Sequence, residues 1–303
     1  ITYLIQIDNK ESNWLSEVEI KHSPNEKFNF NYAYIRDKNG DIVRKLKKKE
    51  IETRNTRAYF SFYEDDLLSE FDLYWNSYPY QIEYSYSIQE DQYIFLDVWS
   101  PYVYNNVSSL SSSLQITIPK NYQVRIKELN GSFNRIETET DDTKEIRWEY
   151  QNYHTPKHES YAPPLLDLIP LVYIYPERFT YGIPGSLESW NSFGQWQAQL
   201  NEGADNLPLG EQFKVDELID GIEDKEEIIK VLYHYLQDHT KYVNVSIDVG
   251  GLKSYPASYV CTNKYGDCKA LTTYMKALLK HAGIESNYTT IYADENKRTF
   301  IPD

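Results

Sequence analysis

Cysteine is nearly absent from this chain: its 303 residues include two, Cys261 and Cys268. Two thiols cannot build the disulfide framework of a small secreted domain, and one Cys-x6-Cys pair does not fix a redox compartment. Long apolar runs are lacking as well. No stretch approaches the roughly 20 residues that cross a bilayer as a helix, so no membrane span is expected. Positive charge is scarce, with 31 lysines and arginines against 46 acids and a formal net charge of −15. That balance argues against nucleic acid or an anionic membrane as the main partner. The local run Lys45-Leu46-Lys47-Lys48-Lys49, flanked by Glu50 and Glu52, reads as a solvated strand end. There are six histidines, and no His/Cys/Asp/Glu cluster has metal-ligand spacing; His154-x3-His158 in a proline-containing loop is weak. Gly250-Gly251 lacks the strand-turn-helix setting of a phosphate loop or a dinucleotide site. No metal and no cofactor is expected. A starting methionine is missing too. The chain opens on Ile1, as expected of a trimmed product from which an export signal could have been removed.

Tyrosine is abundant, with 29 residues, and it marks a chain of two compositions. Up to about residue 160 the pattern alternates. Phe28, Phe30, Tyr32 and Tyr34 oppose Lys27, Asn29, Asn31 and Ala33; Tyr80, Ile82, Tyr84, Tyr86 and Ile88 oppose Gln81, Glu83, Ser85 and Ser87. Strict alternation predicts strands with one buried and one wet face. Asn39-Gly40 and Asn130-Gly131 lie between such runs and suit tight hairpin turns. Many short antiparallel strands favour a β-sandwich, with the tyrosines serving cross-strand packing. His22, His154 and His158 are expected at its surface.

Residues 163–184 are dense in proline and aromatics, which predicts a connector laid over a surface, because proline blocks helix and central strand. Trp190, Phe193, Trp196, Ala198 and Leu200 then fit a short docking helix. Beyond it helices dominate. Asp224 and Glu227 stand at capping-box spacing ahead of the apolar stripe Ile228, Leu232, Tyr235 and Leu236.

The segment Tyr265-Gly266-Asp267-Cys268-Lys269 places a cysteine where a helix should begin. Gly266 ends a loop, Asp267 is a competent N-cap, and Leu271, Tyr274, Met275, Leu278 and Ala282 recur at helical spacing until Gly283 supplies a stop. Unpaired N–H groups and the positive end of the helix dipole would face the Cys268 sulfur, favouring the reactive thiolate and an oxyanion formed beside it. Plain packing of Cys268, or a Cys261–Cys268 disulfide, remains open on spacing alone.

The same residues resemble the core of the transglutaminase-like superfamily of cysteine enzymes, whose members often read Tyr-Gly-Asp-Cys-Lys-Asp-Lys-Ala at this point. The approach from Leu236 to Lys264, with its helix, strand, glycine pair and Pro256-Ala257, is also similar. The tyrosine-rich half resembles the N-terminal domain of unknown function that precedes such cores in exported bacterial proteins. The resemblance implies a multi-domain chain. Residues 1–162 would form an all-β sandwich, 163–205 a Pro/aromatic connector with a docking helix, and 206–303 the first part of a truncated α+β papain-like domain. It also implies that Cys268 is the nucleophile of a Cys-His-Asp triad, supported by Gly266 and Asp267, acting on a peptide or other amide through a thioester. The products would arise by protease or amidase hydrolysis, with amine transfer as the lesser option. The location implied is exported or periplasmic.

No histidine follows His281 in the chain, and His281 lies thirteen residues along the same helix, about 20 Å from Cys268. The triad histidine and aspartate are therefore expected beyond Asp303. Ala270 and Leu271 replace charged residues common in the family, and Leu252-Lys253 stand where relatives often carry Trp-Gln. The rival expectation is a non-catalytic binding or scaffold protein with a relic thiol domain.

Overall fold

The computed structural model describes residues 1–55, 63–64, 66–156, 159–246 and 251–291. His158 and Gly250, singled out above, lie outside these. The chain forms two compact units, one made of Ile1–Asp91 with Gly203–Tyr288 and the other containing Gln92–Glu202. The division thus falls inside the alternating half, after Asp91, and the first unit joins the leading strands to the helical end.

The first unit opens with β1 (Thr2–Ile7), β2 (Glu17–His22), β3 (Lys27–Arg36), β4 (Ile42–Lys45), β5 (Glu52–Asn55), β6 (Tyr63–Glu64), β7 (Leu67–Asp72) and β8 (Tyr80–Gln89). One sheet has the order β1-β8-β3-β4 and a second β2-β7-β5. Ile7, Ile35, Tyr80 and Ile82 are fully buried, each contributing about 1.5–3 kcal/mol by leaving water. In β8 the alternation holds over its first half, where Tyr80, Ile82 and Tyr84 are buried, and fails beyond it, where Ser85 is buried and Tyr86 and Ile88 are only partly so. In β3 it breaks. A bulge between Phe30 and Tyr32 shifts the register against β8. Ala33 and Ile35 take the buried face, while Tyr32 and Tyr34 stack on each other on the opposite one. Asn39-Gly40 makes the expected β3–β4 hairpin, with Gly40 at φ +89°. His22 is not at the surface. It is 7% exposed, with Nε2 2.9 Å from the Ser69 hydroxyl and its ring stacked on Phe28.

The second unit contains β9 (Asp97–Trp99), β10 (Ser109–Pro119), β11 (Val124–Leu129), β12 (Asn134–Glu139), β13 (Thr143–Tyr153), α1 (Leu165–Leu168), β14 (Leu171–Pro176), β15 (Arg178–Tyr181), β16 (Ile183–Ser186) and α2 (Trp190–Leu200). Sheets β10-β13-β12 and β11-β14-β9 share a core in which Ile146 and Trp148 meet Val172 and Ile174. Here the expected connector is corrected, because Leu171–Pro176 is a central strand paired on both edges. Its prolines, Pro170 and Pro176, fall just before the strand and at its end, so the apolar run between them keeps its N–H groups for the ladder. Asn130-Gly131 is no hairpin either. Asn130 takes φ +56° and its amide donates to the carbonyls of Leu166 and Ile169, turning the chain from β11 in one sheet to β12 in the other. Trp196 of α2 is buried against Phe179.

The first unit resumes with α3 (Leu209–Ile219), α4 (Lys225–His239), β17 (Lys241–Tyr242), β18 (Val245–Ser246), α5 (Ala257–Asn263), β19 (Tyr265–Gly266) and α6 (Cys268–His281). Asp224 caps α4 by accepting the Glu226 N–H, and the whole predicted stripe from Ile228 to Leu236 is buried. Val215, Leu232, Val260, Ala270, Tyr274 and Leu278 centre this helical core. β18 pairs with β6 in parallel, linking the helical part to the leading strands. Among the described residues no helix is long and apolar enough to cross a membrane.

Candidate active site

The start of α6 follows from its sequence. Asp267, 2% exposed, accepts the Ala270 N–H at 2.8 Å on Oδ1, and its other carboxylate oxygen takes the Lys269 ammonium at 2.6 Å. The helix ends at Gly283, φ +71°, where the Ile284 N–H closes on the Leu279 carbonyl. Cys268 is therefore the first helical residue, and it is exposed and unpaired with Cys261.

Gly266 is buried in β19, where a Cβ would meet that of Ala270 at 2.8 Å and Val260 Cγ2 at 3.3 Å. The absent side chain lets α6 start directly under the strand. This also explains the apolar departures at 270 and 271: Ala270 is wholly buried beneath Gly266, and Leu271 packs on the helical core. Ala270 is thus a core position and Leu271 lies partly buried at the edge of that core.

Folding brings residues to Cys268 that spacing does not reveal. β17 pairs with β19 in parallel, setting Tyr242 opposite Gly266, with the Val243 N–H donating to the Gly266 carbonyl at 3.0 Å. The Tyr242 phenol holds its proton more tightly than usual, through partial burial and the negative charge at Cys268 and Asp267. Burial and the same two charges push Tyr288 in the same direction. The Ser254 hydroxyl, 3% exposed, donates to the carbonyl of Lys269 at 3.1 Å and so fastens the preceding loop to the first turn of α6.

Cys261 has a different setting. Its thiol donates to Glu211 Oε2 at 3.0 Å, and burial followed by that carboxylate pushes it up to about 11. Glu211, 6% exposed, also accepts the hydroxyls of Tyr235 (2.8 Å) and Tyr274. The histidines of this part bond elsewhere. His239 Nδ1 is 2.9 Å from the Tyr235 carbonyl, and His281 is partly buried with Nε2 2.8 Å from Asp216.

A buried helix cap presenting an exposed thiol, behind a β-rich N-terminal region, defines the class: a two-part chain with a thiol-bearing helical domain. Residues 1–157 match the family of the domain of unknown function DUF3857, and residues 213–301 match the transglutaminase-like superfamily. The chain belongs to that DUF3857 family and ends in a transglutaminase-like domain. No curated protein matches it. Among solved structures, a protein described as a "putative protease" from Parabacteroides distasonis ATCC 8503 is similar in fold, with a TM-score of 0.70 at 16% identity over 93% of this chain. This chain spans 55% of the length of that protein.

Proposed function

We propose that the protein is a thiol enzyme in which Cys268 attacks the carbonyl carbon of a peptide or other amide, forms a thioester and passes the acyl group to water. The observation that carries this reading is the position of Cys268, exposed at the first residue of a helix whose cap is supplied by the buried Asp267. The Cys268 N–H and the dipole behind it favour charge at the sulfur and at an oxygen beside it. Superfamily membership supports the same chemistry.

Iodoacetamide labelling with mass-spectrometric readout tests it. Cys268 should label well before Cys261, whose thiol is half-buried and held by Glu211. An amidase or peptidase activity of the full-length protein should be lost in Cys268→Ala. Equal, slow labelling of both thiols, or activity surviving Cys268→Ala, would remove the catalytic assignment and favour a binding role.

A further inference from the structure

The second unit holds a cleft of about 330 Å³ lined by Asn121, Tyr122, Gln123, Glu177 and Arg178. It lies where the turn from β10 into β11 meets the passage from β14 into β15. That volume is the size of a small-ligand site. Backbone bonds fix the frame around it. The Tyr122 N–H donates to the Pro119 carbonyl at 2.8 Å and closes the turn, while the Glu177 N–H donates to the Gln123 carbonyl at 3.1 Å and joins the two lips. The Glu177 carbonyl accepts the Leu187 N–H at 2.9 Å. Tyr122 is held through its hydroxyl, 2.9 Å from that of Tyr93, and Tyr93 in turn bridges to Thr180 of β15. A wall formed in advance needs little further ordering when a ligand arrives.

The polar groups of the lining are held by nothing. Among the described residues, the side chains of Asn121, Gln123, Glu177 and Arg178 have no hydrogen-bond or ion-pair partner. Glu177 and Arg178, neighbours in the chain, do not pair with each other. Their chemistry selects a ligand class. A guanidinium only donates, a carboxylate only accepts, and each amide does both. One cation and one anion leave the cleft without net charge, which disfavours a phosphate or a simple carboxylate. An amino acid or peptide end would use the two charged groups and leave both amides idle. Vicinal hydroxyls use all four, because each hydroxyl both donates and accepts, and two adjacent ones can engage the two polar atoms of an amide or a carboxylate. Tyr122 adds the flat apolar surface that the C–H face of a sugar ring requires.

We propose that this cleft is a binding site for a neutral pyranose ring, whose hydroxyls are taken by Arg178, Glu177, Asn121 and Gln123 while its C–H face packs on Tyr122. The site belongs wholly to the second unit, so it stands whether or not Cys268 is a nucleophile.

Saturation-transfer NMR on the whole chain tests it. The probes are glucose, methyl α-glucopyranoside, methyl α-mannopyranoside and methyl β-galactopyranoside at tens of millimolar, with glycylglycine as the zwitterionic alternative. Saturation should pass from the protein to the ring C–H protons of at least one sugar. Glucose against its methyl glycoside separates a free sugar from the blocked end of a glycan, and binding of either supports the site. Arg178→Ala should weaken the binding by about 10-fold, the scale of a lost hydrogen bond to a charged group, and Gln123→Ala should weaken it too. Both side chains are exposed, so the variants should keep the wild-type far-UV spectrum. No transfer to any of the four sugars, transfer to glycylglycine in their place, or sugar binding that both variants leave unchanged would each overturn the proposal.

Discussion

Replacing Glu211 tests whether a buried carboxylate organises the helices that present Cys268. Its two oxygens accept from Tyr235 on α4, Tyr274 on α6 and Cys261 on α5, while Glu211 itself belongs to α3. Burial is the largest influence on the carboxyl and pushes its pKa up. The donors Tyr274, Cys261 and Tyr235, together with the charge of Lys264, outweigh it and hold the group below its ordinary value. In Glu211→Gln the amide oxygen still accepts from the two tyrosines, whose charge-assisted bonds become neutral at about 1 kcal/mol each, while the amide NH2 no longer accepts the weak Cys261 thiol donor. The uncharged amide is cheaper to bury, so the expected net loss is about 1–2 kcal/mol. Glu211→Leu strands two phenolic hydroxyls and should cost about 4 kcal/mol, at about 1–3 kcal/mol for each unmet buried group. The pH dependence has a definite sign. A depressed carboxyl adds stability that is fully present above its unfolded value, about 4.3, and is lost as pH falls through the folded value. Urea unfolding followed by the far-UV helical signal should therefore show a wild-type advantage over Glu211→Gln at pH 7 that shrinks below about pH 4. No gap at pH 7, or a gap unchanged at pH 3, would refute the reasoning.

Two further substitutions follow from close packing. Gly266→Ala places a methyl 2.8 Å from the Ala270 Cβ, and overpacking at such a site should cost about 1–3 kcal/mol in thermal or urea unfolding. Unchanged stability would mean that the β19–α6 contact yields freely. Trp148→Phe in the second unit removes a fully buried indole whose N–H donates to Glu128 at 2.8 Å. Loss of that bond alone predicts about 1 kcal/mol, with a cavity term added, read as a lower unfolding midpoint.

The helical end was largely legible because its signals are local. Asp267, the stripe from Leu271 to Leu278 and Gly283 fix α6 within a single turn of chain at each end. The strands were legible one by one, but their pairing was not. Nothing in the alternation of β3 reveals that two residues near Phe30 share one partner, and that bulge alone reverses which aromatic residues are buried. Asn130-Gly131 carries a sound turn signal, yet the turn joins two sheets, because partner choice rests on contacts far away in sequence. Proline density misled at β14 for a simpler reason: prolines outside a strand read like prolines within it until its ends are known. At the site, Cys268, Gly266 and Asp267 were visible as a contiguous motif. The strand partner Tyr242 was not, since its pairing opposite Gly266 is made in parallel across 24 positions of chain.

The two cysteines show how one core can give the same side chain opposite characters. They sit seven positions apart, with Cys261 near the end of α5 and Cys268 at the start of α6. The left-handed Lys264, φ +59°, ends α5, and β19 then pairs with β17 before α6 begins. That intervening strand pair sends the first thiol toward Glu211 in the helical core and leaves the second outside it. A carboxylate that accepts a thiol's proton in a hydrogen bond also opposes the thiolate, by charge and by shared burial, and this is the condition of Cys261. Cys268 stands exposed at the open end of a helix, where the backbone favours negative charge. Charge at position 242 is coupled to Cys268, so a carboxylate introduced there should suppress alkylation of Cys268. Tyr242→Glu labelled as fast as Tyr242→Phe would show that local charge does not govern this sulfur.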